Sequence, residues 1–392
     1  MQRRSFIRLV GGGALGLAAS GCSTDFPAEA VAAWAGPGNE ADPRRWALAH
    51  ALLAPSSHNR QPWLVDLREP SAISLHVDRE RLLPETDPWF RQIVVSQGTF
   101  LELLVIALQE GGVAPTVQLF PQGEFAARQL DDRPVARLSW AAGQTAPARD
   151  PLFAQILKRH TAKTAFDITR PVAPADLKAL GAVLPESGAI GLTWGHTLDT
   201  SRVAKLRQLC LDSARAEVST ARTALESARL TRVGPTEILT HRDGISLNAL
   251  MPRAAVATGL FDRSKAPAPG TAAFDQVMKR FVEHSSTAMG FVWLSTDTAA
   301  NARNGRQRSA EVWAGRAYVR QQLKATELGL QMHPMSQAPQ EFAEMKPWYD
   351  QLHRELVGGT AEQTTVQMFC RVGHSANAAP TPRRPLQSLI RA

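Results

Sequence analysis

A short polar run between two prolines is the stretch of this sequence best suited to bind a ligand. Residues 54–63 read A-P-S-S-H-N-R-Q-P-W, and Pro55 and Pro62 restrict the backbone on either side. Four side chains in the run both donate and accept hydrogen bonds: Ser56, Ser57, Asn59 and Gln61. A stiff loop of this kind suits the edge of a planar heterocycle with carbonyls and ring nitrogens. The alternative is an ordinary turn, because serine, asparagine and proline also favour turns.

A second group of residues has the chemistry of a phosphate site. Residues 158–167 read K-R-H-T-A-K-T-A-F-D. Cationic side chains beside a hydroxyl match the charge and the acceptor oxygens of a phosphate. The candidate binding residues in this group are Arg159, Thr161 and Lys163. A solvated basic helix end is an equally open alternative.

Periodic elements surround these groups. Apolar spacing predicts a helix over Arg44–Ala54 before the polar loop and a strand over Trp63–Leu67 after it. A second helix is predicted over Ala175–Leu184, after the basic group. Strand patterns at 73–77, 116–120, 135–140, 190–194, 290–294 and 365–371 alternate with longer helices, which indicates an α+β chain.

Two long helical segments repeat one another. With a constant offset, Gly98 aligns with Gly315, Glu110 with Glu327, Gly112 with Gly329 and Val113 with Leu330. Although helices that end in glycine and an apolar residue are common, this match favours two related lobes in one chain.

The helix, the A-P-S-x-x-N-x-Q-P-W loop and the strand together resemble the second signature of nitroreductase-like FMN-binding oxidoreductases. The R-x-T-x-K run followed by P-V and a helix resembles their first signature, with Lys163 in place of the usual arginine. The closing R-V-G-H strand and the P-R-R-P-L tail, residues 382–386, resemble the C-terminal strand and basic tail that reach the FMN phosphate in this family. The residues that match the tail are Arg383 and Arg384, and the resemblance leaves open which of the two contacts the phosphate. The reversed order of the two signatures, the Q-R-R-S-F-I-R run at residues 2–8 and this ending resemble the Acg-type branch in particular.

The resemblance implies an α+β, nitroreductase-like fold with two lobes fused as a pseudo-dimer. Its cofactor would be FMN, with residues 56, 57, 59 and 61 along the ring and residues 159, 161, 163, 383 and 384 around the phosphate and ribityl chain. Because the signatures are about a hundred residues apart and reversed, we expect one intact site per chain. We expect a first lobe over 41–148 and a second lobe, with the phosphate-binding tail, over 149–392.

The first residues resemble an export address. Residues 2–8 read Q-R-R-S-F-I-R, as in twin-arginine (Tat) signals, and the apolar run Leu9–Gly21 is shorter than the about 20 residues of a membrane helix. The run ends in A-S-G-C, which resembles a lipobox with Cys22 as the lipidated residue. The alternative is a plain cleavage site beside a chance cysteine. We expect a signal over 1–22, a tether over 23–40, and a periplasmic protein with a candidate lipid anchor.

Composition and missing motifs exclude several classes of function. The net charge is +8, but the basic residues are scattered and do not alternate with aromatic residues, so we expect no nucleic-acid partner. The motifs of zinc proteases, serine hydrolases and P-loop enzymes are absent from the sequence, and the histidine spacing predicts no metal site.

The resemblance implies two-electron transfer through flavin N5 to a small aromatic or quinone-like acceptor. It implies no side chain as obligatory acid or base, and the electron donor is unknown. We expect the protein to be a monomer. The alternative function is flavin binding or sequestration with little turnover.

Overall fold

The computed structural model describes residues 24–391 except 142, 144, 188 and 189. The signal sequence and Cys22, which the sequence predicts as an export address and a lipidation site, lie outside the described residues. The described chain contains these α-helices: α1 Ala28–Val31, α2 Pro43–Ala51, α3 Arg91–Glu110, α4 Pro174–Ala182, α5 Thr200–Ser219, α6 Ala221–Arg229, α7 Gly234–His241, α8 Leu250–Ala257, α9 Ala272–Ser286, α10 Thr298–Arg303, α11 Gln307–Glu327 and α12 Lys346–Val357.

Most of the strands form two antiparallel sheets. The strands are β1 Trp63–Asp66, β2 Ala72–Val77, β3 Thr116–Leu119, β4 Ala136–Ser139, β5 Thr193–Thr197, β6 Thr231–Val233, β7 Ile245–Leu247, β8 Gly290–Asp297, β9 Gln331–Pro334 and β10 Thr364–Gly373. The first sheet has the order β1-β2-β4-β3 and the second has the order β5-β8-β10-β9, while β6 and β7 form a small parallel pair.

The two four-stranded sheets share one topology. In each sheet, the spatial order is the first, second, fourth and third of that sheet's own strands along the chain. In each lobe, a long helix connects the second strand to the third: α3 in the first lobe and α11 in the second. The prediction of an α+β chain with two related, fused lobes is therefore confirmed.

The helices α3 and α11 cross at the two glycines that the internal repeat aligns. A Cβ atom on Gly98 would lie 2.0 Å from the carbonyl oxygen of Val312, and one on Gly315 would lie 2.0 Å from that of Val95. Gly98 thus faces Val312, three positions before Gly315, and Gly315 faces Val95, three positions before Gly98. Two-fold symmetry produces such a reciprocal pair of contacts. Backbone touches backbone at this crossing, so side chains larger than hydrogen are excluded at both positions.

Apolar packing and buried ion pairs complete the junction between the lobes. Val312, Val319 and Leu323 of α11 pack within the core cluster of the first lobe. Glu102 of α3 accepts hydrogen bonds from Arg316 (2.6 Å) and Arg320 (2.9 Å) of α11. Among the described residues, α3 is the one helix long and apolar enough to cross a membrane, and here most of it is buried in the protein.

Both ends of the described chain pack onto the first lobe. Leu389 is fully buried in its core, Ile390 forms a parallel bridge with Val65, and the tail therefore lies beside β1 rather than in the second lobe's sheet. At the other end, Ala30 and Trp34 are buried within helical turns. The expectation of a tether over 23–40 is thus corrected for its described part, because a buried tryptophan anchors it.

Local differences from the predicted elements have simple causes. The strand expected at 190–194 lies at Thr193–Thr197, because its pairing with β8 extends beyond the apolar residues. The apolar spacing at 199–230 predicts one long helix or two, and the structure has two, α5 and α6, which meet at Thr220, whose backbone is extended. For the segment 231–269 the sequence predicts an irregular covering loop, whereas the structure has β6, α7, β7 and α8 there.

The glycine crossing gives a testable prediction for stability. Gly98→Ala inserts a methyl group into the Val312 backbone, so we expect the helices to separate and the free energy of unfolding to fall by about 1–3 kcal/mol or more. Thermal unfolding followed by circular dichroism measures this. Gly111→Ala is the matched control, because its added Cβ would meet no atom closer than 3.4 Å. Equal melting temperatures for the two variants would contradict the close crossing.

Candidate functional site

The polar loop between α2 and β1 has an unusual backbone. His58, Asn59 and Gln61 have positive φ values of 48°, 51° and 52°. Each left-handed, non-glycine residue costs about 1 kcal/mol or more, so the surroundings must impose this shape. Within the loop, the Ser56 hydroxyl accepts a hydrogen bond from the Gln61 amide at 3.0 Å. The sequence prediction of a stiff loop agrees with this geometry.

A row of polar side chains on α3 supports the loop. Thr99 Oγ1 donates to the Pro55 carbonyl at 2.7 Å, and Ser96 Oγ accepts from the Ser57 amide at 3.3 Å. Ser57 Oγ donates to Gln92 Oε1 at 2.9 Å, while Gln97 Nε2 donates to the Pro62 carbonyl. The sequence analysis did not select these supports. Their signal was present, since Ser96, Gln97 and Thr99 are buried polar residues in a mostly apolar helix.

Gln61 joins three segments and is fully buried. Its Nε2 donates to the carbonyls of Asn59 (3.2 Å) and Arg242 (2.8 Å), and its Oε1 accepts from the Arg384 amide at 2.8 Å. The protein itself therefore occupies both ends of this amide. Gln61 is a positioning residue for the loop, which corrects the expectation that its side chain faces a bound ring.

Two aspartates neutralise a group of arginines behind the loop. Asp243 accepts from Arg60 (2.6 Å) and Arg81 (2.9 Å), and Arg232 adds a third contact at 2.9 Å. Arg384 donates to Asp78 at 3.1 Å and to the Ser388 carbonyl at 2.9 Å. The charge of Arg384 is thus already paired within the protein. The sequence left open which of Arg383 and Arg384 would contact a phosphate, and this pairing favours Arg383.

Arg159 and Arg383 are placed very differently from Arg384. Both are buried, and both donate to the Leu53 carbonyl, at 3.0 Å and 3.1 Å. Neither has a carboxylate partner among the described residues, and the Nε atom of each is buried without a hydrogen bond. Burial lowers the pKa of Arg159 to about 10, and burial followed by the charge of Arg159 holds the pKa of Arg383 well below its ordinary value. Two adjacent, desolvated cations of this kind favour an anion.

Trp34 and His160 form one side of this cationic site. Their rings lie 4.3 Å apart, and the guanidinium carbons of Arg383 and Arg159 lie 4.9 Å and 5.8 Å from the Trp34 ring. Trp34 Nε1 donates to the Thr381 carbonyl at 2.8 Å. His160 Nδ1 is buried without a partner, and burial together with the two arginine charges lowers the pKa of His160 to about 4. The sequence analysis missed Trp34, although a lone tryptophan in a segment rich in alanine and glycine is a signal of docking.

The remaining predicted residues come from both lobes. Asn59 Oδ1 accepts from Arg383 at 2.9 Å, and Thr161 Oγ1 accepts from Arg159 at 3.3 Å. Lys163 is exposed, and burial followed by the Lys163 charge lowers the pKa of the half-buried His58 to about 4. The structure thus brings the loop of the first lobe to the R-x-T-x-K run of the second lobe and to Arg383 of the tail.

Buried Arg371 fixes the R-x-T-x-K run from behind. It donates to the carbonyls of Thr164 (2.7 Å) and His284 (2.8 Å) and to His333 Nδ1 (3.0 Å). Its guanidinium carbon also lies 3.9 Å from the Phe166 ring. This one side chain therefore ties the run to the end of α9 and to β9.

The pseudo-two-fold copy of the site lacks these features. The residues of α11 that correspond to Ser96 and Thr99 are Trp313 and Arg316. These two side chains stack on each other, with the Arg316 guanidinium carbon 4.2 Å from the Trp313 ring, and Arg316 binds Glu102. The supports that hold the polar loop on one side of the axis are therefore absent on the other side.

Relatives of known sequence agree with this architecture. The chain is 27% identical over 358 residues to a candidate NAD(P)H nitroreductase of Mycobacterium tuberculosis, covering 90% of this chain and 92% of that protein. It is 34% identical over 120 residues to an uncharacterized protein of the same species, where the match spans only 33% of that protein and 30% of this chain. No protein-family model matches the sequence.

Solved structures overlap with part of the chain. The FMN-dependent nitroreductase NfnB from Mycobacterium smegmatis, solved with NADPH, has a TM-score of 0.36 and 15% identity, covering 62% of this chain and 97% of that one. The fold assignment does not depend on so partial an overlap. It follows from the repeated sheet topology and from the full-length relative, which together confirm the predicted nitroreductase-like fold class.

The paired and unpaired arginines predict different responses to an anion. Inorganic phosphate at about 10 mM should raise the melting temperature of the cofactor-free protein, because a ligand that binds only the folded state stabilises it. We expect Arg159→Met and Arg383→Met to abolish most of this increase. Arg384→Met, the matched control, should lower the melting temperature and keep the increase. An increase that survives in both Arg159→Met and Arg383→Met would contradict the anion site.

Proposed function

We propose that this protein is an FMN-dependent oxidoreductase of the nitroreductase type, with one flavin site per chain at the junction of its lobes. The observation that carries the proposal is the pair Arg159 and Arg383, two buried cations without a carboxylate partner among the described residues, beside the polar loop. A flavin phosphate supplies the missing negative charge and the acceptors for the two unpaired Nε atoms. The full-length relative supports the same class of activity.

Two sets of residues in this chain fit FMN, one at its phosphate end and one along its ring. Arg159 and Arg383 would hold the phosphate, with Trp34 and His160 covering that end. Ser56, Ser57 and Asn59 would lie along the ring from the first lobe, and Thr161 and Lys163 of the second lobe would lie toward the phosphate and the ribityl chain. The arrangement requires both lobes, so separation of the lobes would divide the site.

FMN, when bound, supplies the redox chemistry: it accepts two electrons, as hydride at N5, and passes them to an acceptor. The protein's part is to orient the group and set its surroundings. Lys163 contributes a positive charge, and His58 is uncharged at neutral pH because its pKa is about 4. The loop residues Ser56, Ser57 and Asn59 are half-buried, and the acceptor in this proposal is a small aromatic or quinone-like molecule.

Export is the second part of the proposal. The Tat-type signal and the lipobox at Cys22 support a periplasmic, lipid-anchored protein of the Acg-type branch. NAD(P)H is a cytoplasmic donor, so the donor here would be a different molecule or a membrane partner. The Tat route carries folded proteins, and FMN loaded before export would travel inside the folded chain.

Flavin sequestration with little turnover is the second candidate function. The segment that contains β6, α7 and β7 contacts the loop: Gly244 donates to the Asn59 carbonyl at 3.4 Å, and Asp243 binds Arg60. His58 Nε2 also lies 3.2 Å from Ser227 Oγ. A covering segment of this kind favours retention of the flavin. Reoxidation of the reduced holoprotein by a quinone distinguishes the candidates, since an enzyme completes it within seconds and a sequestering protein does not.

The purified mature protein should be yellow and contain about one FMN per chain. The reason is that the pseudo-two-fold copy of the site has Trp313 and Arg316 where the loop supports stand. Absorption spectroscopy and quantification of the released chromophore measure this. Two FMN per chain would contradict the single site, and a colourless protein that takes up no added FMN would overturn the proposal.

Loss of one unpaired arginine should weaken FMN binding strongly. A charge-assisted hydrogen bond contributes about 1.5–3 kcal/mol, so we expect Arg159→Met to raise the FMN dissociation constant about 10- to 100-fold. Quenching of flavin fluorescence on binding measures this constant. Arg320→Met is a control of equal size at the junction, because Arg320 binds Glu102 and Asp150 instead. Equal losses in both variants would indicate a general folding defect rather than a phosphate contact.

A further inference from the structure

An exposed apolar surface lies on the segment 250–260. Leu250, Met251 and Leu260 are 54%, 81% and 78% exposed, and no residue of α8 is buried. Large apolar side chains at this exposure are rare elsewhere in the described residues, and a concentration of them indicates a contact surface. We refer to these three side chains as the α8 patch.

The α8 patch belongs to an ordered segment. Phe261 donates its amide to the Ala255 carbonyl at 3.0 Å, which closes the turn after α8. Arg263 then donates to the Thr231 carbonyl at 3.0 Å and pairs with Glu237. The rest of the segment is thus fixed to β6 and α7, while the three apolar side chains face solvent.

The start of the described chain lies beside this segment. Asn248 Nδ2 donates to the Asp25 carbonyl, two residues before α8 begins. Cys22 precedes Asp25 by three residues in the sequence. The lipid that the proposed function assigns to Cys22 would thus be attached three residues before a residue that contacts this segment.

The charges around the patch also suit a membrane. Arg253 is the single charged residue from Gly244 to Phe261, and Asp262, which follows, pairs with Lys265 at 3.2 Å. Apolar side chains beside a cation are the composition that binds at a bilayer interface. A single lipid anchor gives reversible attachment, and a second contact makes it stable.

We propose that the α8 patch is a membrane-contact surface that inserts into the phospholipid interface beside the lipid anchor at Cys22. This rests on the export and lipidation in the proposed function, but not on the flavin chemistry. The patch is joined through β7 to the segment that contacts the polar loop, since Gly244 donates to the Asn59 carbonyl at 3.4 Å. The membrane would therefore lie on the same side of the molecule as the segment that covers the loop.

The test measures membrane binding without the anchor. The full mature chain with Cys22→Ser, loaded with FMN, is sedimented with vesicles of phosphatidylcholine that contain phosphatidylglycerol. We expect binding that Met251→Glu and Leu260→Glu each weaken about tenfold or more, since each removes one large apolar side chain from the interface. Ile168→Glu is the matched control, because Ile168 is 63% exposed elsewhere and should leave binding unchanged.

Each of the other possible results contradicts the proposed membrane contact. A Cys22→Ser protein that does not sediment with vesicles, or that sediments equally well with Met251→Glu, contradicts membrane contact. A dimer seen by analytical ultracentrifugation that Met251→Glu dissociates would instead assign the patch to a second copy of the chain. FMN content is measured in each sample. A protein that retains FMN but does not bind vesicles refutes only the membrane contact, whereas a protein without FMN refutes the proposed flavin function.

Discussion

The contact between the backbones of α3 and α11 is the constraint on which the rest of the structure depends. Gly98 and Gly315 allow the two helices to touch without intervening side chains. This close approach places the first turns of α3, which support the polar loop, beside the lobe that supplies Arg159. A wider crossing would separate the two halves of the site even if each lobe kept its own fold. The duplicated architecture is thus a requirement of the site and not only a trace of its origin.

Charge pairing then separates structural arginines from binding arginines. Arg60, Arg81 and Arg384 are neutralised by Asp78 and Asp243, and they fix the loop and the tail. Arg159 and Arg383 are as deeply buried but have only carbonyl, hydroxyl and amide acceptors. Burying an unpaired cation is costly, so a ligand that supplies the opposite charge would stabilise the folded state. The partners of the buried arginines therefore distinguish those that are paired within the protein from those to which the proposed function assigns a ligand.

Sequence patterns predicted the fold class and selected residues that the structure brings together. The long helices, the repeat through Gly98 and Gly315, and the loop that holds Asn59 all follow from local spacing. The hydrogen bond between Gln61 and Arg384 could not be predicted, because the two residues are 323 positions apart in the chain and no local pattern reports such a contact. The docking of Trp34 was missed for the same reason: composition resembling a linker concealed one residue with a large apolar surface.

The meeting of the two chain ends has a consequence for how the protein is made. Trp34 bonds to the Thr381 carbonyl, and the Arg383 amide donates to the Ala30 carbonyl at 2.9 Å. The segment from Thr381 to Arg383 is synthesised after the strands of both sheets, the last of which ends at Gly373. The cationic site therefore forms only once the growing chain includes Arg383. Under the proposed function, a chain that stopped before Arg383 would keep the strands of both sheets but could not close the anion site.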